Sequence, residues 1–230
     1  MDEIRLIEVK EGILSESRAL AERLREKLRS TGTFMLNLMS SPGSGKTSLI
    51  LWTIDALRAD FRIGIIEADI ASTVDSEKVA ARGVKVVQLR TGGFCHLDAT
   101  MVAQGLEVIG PQGLDLVIIE NVGNLVCPAE FDTGANKNAM ILSIPEGDDK
   151  PLKYPLMFSV CDALVLNKID ALGVFDFDFQ ALEQRVRVLN PGIHILKTSC
   201  KTGEGMDAWT GWLREQIRVF RQGDNRCEPH

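Results

Sequence analysis

Apolar residues fall along this chain in two rhythms. Between Ser15 and Gly32, Leu20, Leu24 and Leu28 recur at four-residue spacing among Arg, Glu and Lys. That spacing predicts an amphipathic helix with Ser15 as its N-cap and an end near Gly32. Such a stripe needs covering, and its own domain is a nearer surface than a partner. Ahead of it, Ile4–Val9 reads as a short extended piece. From Thr33 onward, short apolar runs alternate with helical stretches. The runs predict strands over Phe34–Met39, Phe61–Glu67, Val84–Leu89, Leu114–Glu120, Met140–Ile144, Ala163–Asn167 and His194–Thr198. Between them, helices are predicted over Lys46–Ala59, Thr73–Arg82, Leu97–Ile109, Phe177–Leu189 and Met206–Phe220. Near-continuous Val/Ile/Leu runs such as Leu116–Ile119 and Leu164–Leu166 suit strands of a parallel sheet covered on both faces. Strand–helix alternation then predicts an α/β fold, a doubly wound and mostly parallel sheet spanning 33–221. An N-terminal helical extension (1–32) precedes it, and a polar, loose tail (222–230) follows.

Composition narrows the classes. A chain of 230 residues, 45% apolar and 25% charged, is ordinary globular material. With 26 basic and 32 acidic residues the formal charge is 26 − 32 = −6, which disfavours a nucleic-acid partner. The longest apolar runs are too short to cross a bilayer, and the opening Met-Asp-Glu-Ile-Arg lacks the basic-then-apolar profile of a leader, so no membrane and a cytoplasmic location are expected. In that reducing compartment the five cysteines read as thiols or metal ligands rather than disulfides.

Between the first strong strand and its helix lies Ser40-Ser41-Pro42-Gly43-Ser44-Gly45-Lys46-Thr47. Gly43, Ser44 and Gly45 let successive backbone N–H groups turn toward an anion, and the helix that continues through Ser48 adds its positive end. Lys46 is placed to reach the outer phosphates, and the Thr47 hydroxyl to sit on Mg²⁺. The first position of the usual G-x-x-x-x-G-K-[ST] pattern is Ser40, which predicts a changed turn and an intact site.

Asn167-Lys168-Ile169-Asp170 follows directly on a buried strand and has the form of the guanine-recognition motif N-K-x-D. Guanine presents N1–H and its 2-amino group side by side, and one carboxylate, Asp170, accepts both. Adenine has an acceptor at N1 and no 2-amino group, so the carboxylate discriminates. Lys168 is expected over the base plane and Asn167 as a brace. Ser199, Cys200 and Lys201 occupy the place where GTPases set a backbone N–H against guanine O6. The nucleotide favoured is GTP.

The strand Leu114–Glu120 ends in an acid, and Gly123 follows three residues later. Glu120 is placed to hold the Mg²⁺ shell and the Gly123 N–H to meet the γ-phosphate. Asp69 and Asp75 flank the segment after the second strand. Either serves the ion or the attacking water, with Asp75 favoured, and capping of the following helix explains either equally well. No Gln stands beside Gly123 to orient water, so intrinsic hydrolysis is expected to be slow.

Cys95 and His96 fall in a turn before a helix, and Cys127 lies four residues beyond Gly123. Thiolate and imidazole suit Ni²⁺ or Zn²⁺, although inert loop thiols fit the spacing as well. Two Cys and one His leave a tetrahedral set incomplete, and two chains related by a two-fold axis can pool theirs. Cys161 and Cys200 read as packing residues, and Cys227 falls in the tail.

Taken together, Ser-Pro-Gly-Ser-Gly-Lys-Thr, Gly-Gly-Phe-Cys-His-Leu-Asp-Ala, Glu-Asn-Val-Gly-Asn-Leu-Val-Cys-Pro-Ala, Pro-Glu-Gly-Asp-Asp and Asn-Lys-Ile-Asp, in order from about Phe34 to Gly205, resemble the HypB family. HypB proteins are GTPases that assist nickel insertion into [NiFe]-hydrogenase. The resemblance implies a GTP-dependent homodimer with Cys95, His96 and Cys127 as interfacial Ni²⁺/Zn²⁺ ligands. It also implies partnership with the companion nickel protein HypA and a hydrogenase large subunit. Lys153 becomes a candidate to touch the partner's nucleotide. The N-terminal cysteine motif and His-rich stretch that some members use to store nickel are missing, so no reservoir role is expected. Because only three residues separate Gly123 from Cys127, loss of the γ-phosphate is expected to relax that segment and weaken the metal site. The rival readings are a urease-type nickel GTPase, whose ligands are arranged Cys-Pro-His, a GTPase that loads a cobalamin enzyme, and a metal-responsive GTP-binding interaction module with vestigial hydrolysis.

Overall fold

The computed structural model describes residues 9–69 and 74–224, with side chains for 16–68 and 76–223. In chain order the elements are α1 (Val9–Thr31), β1 (Phe34–Ser40), α2 (Lys46–Leu57), β2 (Ile63–Asp69), α3 (Val74–Ala80), β3 (Lys85–Arg90), α4 (Ala99–Ile109) and β4 (Leu116–Glu120). They continue with α5 (Cys127–Glu130), β5 (Lys137–Ser143), α6 (Lys150–Lys153), α7 (Pro155–Ser159), β6 (Ala163–Asn167), α8 (Phe179–Leu189), β7 (His194–Lys197) and α9 (Met206–Asp224). The seven strands form one sheet in the order β3-β2-β4-β1-β5-β6-β7, and every pair is parallel. β1 stands at the centre, where the chain winds first toward β3 and then back toward β7. In such sheets ligands bind beyond the carboxyl ends of the strands at this reversal, and the loop leaving β1 is the glycine-rich one.

Both faces are covered. Phe34, Leu36 and Leu38 of β1 point into a core shared with Ile50 and Ile54 of α2 and Trp209 and Leu213 of α9. On the opposite face Met35 packs with Val117 and Ile119 of β4, Val102 and Leu106 of α4, and Leu24 and Leu28 of α1. The leucine stripe of α1 is therefore part of the main core, and Arg25 fastens the helix by bonding the Asp132 carboxylate and the Ala135 carbonyl (3.2 Å). Among the described residues no helix is long and apolar enough to cross a membrane.

The main departures from the sequence pattern are local. Ser15 is not an N-cap: it lies inside α1, which is already helical at Val9, the last residue of the predicted extended piece, while residues 4–8 of that piece lie outside the described residues. β5 begins three residues before Met140, at Lys137. Its polar start is tolerated because Asp162 accepts from Lys137 Nζ (2.6 Å) and from the Asn138 N–H (2.9 Å). α4 starts at Ala99 rather than Leu97, capped by Asp98 through the Met101 N–H (2.9 Å). At the C-terminus α9 continues to Asp224, into the stretch expected to be loose, and residues 225–230 lie outside the described residues.

Candidate functional site

The phosphate loop leaves β1 at Ser40 and enters α2 at Lys46, with Gly43 and Gly45 at φ of 75° and 107°. A Cβ at Gly45 would stand 2.4 Å from Asn167 Nδ2, so conformation and space both require glycine there. Ser40, fully buried, gives the unusual first position a purpose. Its hydroxyl donates to the Ser41 carbonyl (2.7 Å) and accepts from Lys46 Nζ (2.8 Å), holding the lysine over the loop. Ser41 bonds the Glu146 carboxylate, which also accepts from the Ser143 N–H (2.8 Å) and hydroxyl (2.7 Å), so the end of β5 braces the loop. Thr47 Oγ1 donates to Glu120 Oε1 at 3.0 Å, bringing two of the three expected Mg²⁺ residues together. One hydroxyl and one carboxylate beside phosphate oxygens form a hard, all-oxygen set that fits Mg²⁺.

Gly123 sits against this loop. A Cβ on it would come within 3.0 Å of Pro42 N and Cγ, so a side chain there would crowd the loop. Asp69 closes β2 and Asp75 lies in the first turn of α3, but their side chains fall outside the described residues. Lys153 is paired with Asp149 at 2.5 Å on the surface.

The residues of the Asn-Lys-Ile-Asp motif converge on the same loop. Asn167 Nδ2 donates to the Ser44 carbonyl (2.9 Å) while its Oδ1 accepts the Cys200 N–H (3.2 Å). That N–H is therefore spent on the brace and not held out for a base. Lys168 is the single non-glycine residue with positive φ (62°) among those described, and its Nζ reaches the Gly43 carbonyl at 2.7 Å. Ser199 donates to Asp170 Oδ1 (2.5 Å), and Lys201 stands 3.8 Å from the same carboxylate. Between these groups opens a cleft of about 290 Å³, bounded by Gly45 and Ser48 on one side and by Lys168, Asp170, Cys200 and Lys201 on the other. Burial pushes the Cys200 thiol up to about 11, so it lines the cleft as a neutral group.

A second centre lies beyond the ends of β3 and β4. Cys95, His96 and Cys127 bring their ligand atoms within 4.8 Å of one another. The two sulfurs are 2.7 Å apart, and Cys95 Sγ is 3.9 Å from His96 Nδ1. His96 stacks on Phe131 (centroids 3.7 Å, 16° between planes), and its partial burial lowers its pKa and keeps a neutral lone pair available. The Cys127 thiol is held above its ordinary value by the hydrogen bond to Cys95 and by burial. A divalent cation would displace that shared proton. Two sulfurs and an imidazole fit Ni²⁺ or Zn²⁺ and leave a fourth position open. By contrast Cys161 is buried, its thiol raised far out of reach, and serves packing.

Phe131, Glu146 and Asn121 were not singled out by the sequence. The first stacks on His96 from outside any motif, and the second sits in Pro-Glu-Gly-Asp-Asp, which carries the resemblance without giving Glu146 a role. Asn121 lies between two residues with assigned roles and looks like a spacer.

The model of the CobW/HypB/UreG nucleotide-binding domain matches residues 34–197. Hydrogenase maturation factor HypB of Azotobacter chroococcum mcd 1 is 43% identical over 218 residues, covering 94% of this chain and 71% of that protein. The crystal structure of HypB from Archaeoglobus fulgidus superposes with a TM-score of 0.83 at 39% identity, over 89% of this chain and all of that one. HypB from Helicobacter pylori, crystallised in complex with nickel, gives the same TM-score at 36% identity over 89% of this chain and 96% of that one. A sheet order set by β1, a glycine loop braced by the base motif, and likeness along nearly the whole length agree: the chain belongs to the CobW/HypB/UreG family and, within it, to the HypB hydrogenase maturation factors.

Proposed function

We propose that this protein is a GTP-hydrolysing metallochaperone whose nucleotide state governs a Ni²⁺/Zn²⁺ site, and that it assists nickel insertion into a [NiFe]-hydrogenase. One observation carries the reading: Gly123 is packed on the phosphate loop, and Cys127, four residues on, touches Cys95 through sulfur. A γ-phosphate that engages the Gly123 N–H then acts on the segment that also holds a metal ligand. Asp170 selects guanine, Lys168 and Asn167 brace the loop, and Lys46 leaves Ser40 to meet the outer phosphates. Thr47 and Glu120 hold Mg²⁺, which when bound neutralises charge on the β- and γ-phosphates. Asp75 is our candidate for orienting water, and with no glutamine beside Gly123 the turnover is slow. Nickel is cargo, held by Cys95, His96 and Cys127 and given up when the segment relaxes.

The work belongs in the cytoplasm, where GTP is abundant and thiols stay reduced. A second copy of the chain completes the metal site, with Lys153 reaching toward the partner's nucleotide, while HypA and a hydrogenase large subunit stand before and after it in the transfer.

Metal titration in GDP and in a non-hydrolysable GTP analogue tests the coupling. Different nickel affinities in the two states are expected, with GTP affinity shifted reciprocally by the metal. Equal affinities would overturn the proposal. Single-turnover hydrolysis separates enzyme from binding module, since Lys46→Ala should abolish phosphate release that a vestigial site would never show.

A further inference from the structure

A row of three asparagines crosses the interior of the sheet below the nucleotide loop. Asn138 in β5, Asn37 in β1 and Asn121 just after β4 are joined side chain to side chain: Asn37 Nδ2 donates to Asn138 Oδ1 (3.0 Å), and Asn121 Nδ2 to Asn37 Oδ1 (3.1 Å). Asn37 and Asn121 are about as inaccessible as the leucines around them (1% and 0% exposed). A polar row where apolar side chains would pack costs stability unless each group is satisfied, so its presence calls for a reason beyond packing.

The reason lies at the far end of the row. Asn121 Oδ1 accepts two backbone N–H groups at once, that of Val122 at 2.9 Å and that of Leu97 at 3.1 Å. Only an oxygen can accept both, which fixes the amide's orientation. Val122 is the neighbour of Gly123, and Leu97 the neighbour of His96. One buried carboxamide oxygen therefore pins the segment that meets the γ-phosphate to the loop that carries Cys95 and His96. Cys127 is connected to Gly123 along the chain, whereas Cys95 and His96 arrive from a loop more than twenty residues earlier. Without a tie, motion at 121–123 would move one arm of the metal site and leave the other behind.

We propose that Asn121 is a positioning residue that transmits nucleotide state to the Cys95–His96 arm, its carboxamide oxygen holding the Leu97 and Val122 amides as one unit anchored through Asn37 to β1. This inference rests on the metallochaperone reading above and names the residue that carries its coupling.

The test compares wild type, Asn121→Ala and Asn121→Asp as full chains. Ni²⁺ is titrated into each with GDP and with the non-hydrolysable GTP analogue. The readout is the ratio of the two nickel dissociation constants. Wild type should give a ratio of about fivefold or more in one direction, the lower end of coupling between linked sites. In Asn121→Ala the ratio should fall to within about twofold of one, because both amides lose their common acceptor. Asn121→Asp keeps an acceptor for both amides but loses the donor to Asn37 Oδ1, so it should recover the ratio only in part. A merely structural residue would weaken nickel binding equally in both nucleotide states and leave the ratio intact, and that result overturns the proposal. A wild-type ratio of one would instead sink the metallochaperone reading itself, taking this inference with it. Should the alanine chain not fold, hydrogen exchange in wild type decides: the Leu97 amide should exchange at different rates in the two nucleotide states, and identical rates would refute the tie.

Discussion

In the proposed function, discrimination between bases comes down to one carboxylate. Asp170 accepts a short bond from Ser199 and has Lys201 nearby, so its oxygens are oriented before any base arrives. Two acceptors side by side match guanine's N1–H and 2-amino group. Asp170→Asn replaces one acceptor with an N–H donor, which opposes the 2-amino group and matches a 2-carbonyl. GTP affinity should fall by about a hundredfold, the scale of losing a charged hydrogen-bond pair and facing two donors together, while xanthosine triphosphate should gain. Competition binding with GTP, XTP and ATP checks this, and unchanged preference for GTP would show that the base lies elsewhere. Ser40 illustrates the opposite case, a residue that departs from the usual G-x-x-x-x-G-K-[ST] pattern and brings a bond of its own. Its hydroxyl takes the Lys46 ammonium that a glycine could not hold.

Among the elements, α9 has its far end tied to a single acid at the amino end of the strands, opposite the glycine-rich loop. Asp115, just before β4, accepts from the Arg62 N–H (2.7 Å), Nε (3.0 Å) and Nη2 (3.0 Å), and from Arg221 near the end of α9 (2.5 Å). The Arg62 guanidinium, and then Arg221, hold its carboxyl well below the usual carboxylate range. A depressed folded-state pKa contributes stability that is complete above the ordinary carboxyl value and is lost as pH falls through the lower folded value. Asp115→Ala should therefore lower the melting temperature by a few degrees at neutral pH. The gap should narrow once pH drops below about 4. Calorimetry at pH 7 and pH 3 measures both, and a gap independent of pH would mean the loss is packing rather than charge. The same elements show what the sequence carries plainly and what it hides. Leu164–Leu166 and Leu116–Ile119 lie inside strands because apolar runs buried on both faces leave little alternative. Lys137 and Asn138 start a strand invisibly, since their satisfaction depends on Asp162, distant in sequence. Asn121 is hidden for the same reason: its partners Leu97 and Asn37 lie 24 and 84 positions away. Motifs whose chemistry is local, such as the phosphate loop and N-K-x-D, are legible, and ties that exist only after folding are not.

At the scale of the whole molecule the two candidate sites share one end of the sheet, and the Cys95–His96–Cys127 cluster has exposed apolar neighbours. Phe94 (57% exposed) and Val126 (51% exposed) flank it, apolar groups that a lone domain gains nothing by showing to water. Three donors leave a tetrahedral set short of one, and in the proposed function a second copy turned about a two-fold axis would bring the same donors and the same apolar rim to the open side. Assembly should then need both ligands in sequence: the nucleotide sets the segment around Gly123, and the metal closes the joint. Mass measurement of the purified chain should show a dimer of about twice 25.3 kDa with the GTP analogue and nickel together, and chiefly monomer with GDP and no metal. Cys127→Ala removes one sulfur from each side without touching the phosphate loop. It should leave GTP-analogue binding within about twofold of wild type while abolishing the nickel-dependent gain in dimer, since Cys127 is the metal ligand that the segment around Gly123 itself supplies. If the alanine chain still dimerises in response to nickel, the ion bridges the copies through other groups, and the shared segment loses its place as the link between phosphate and metal.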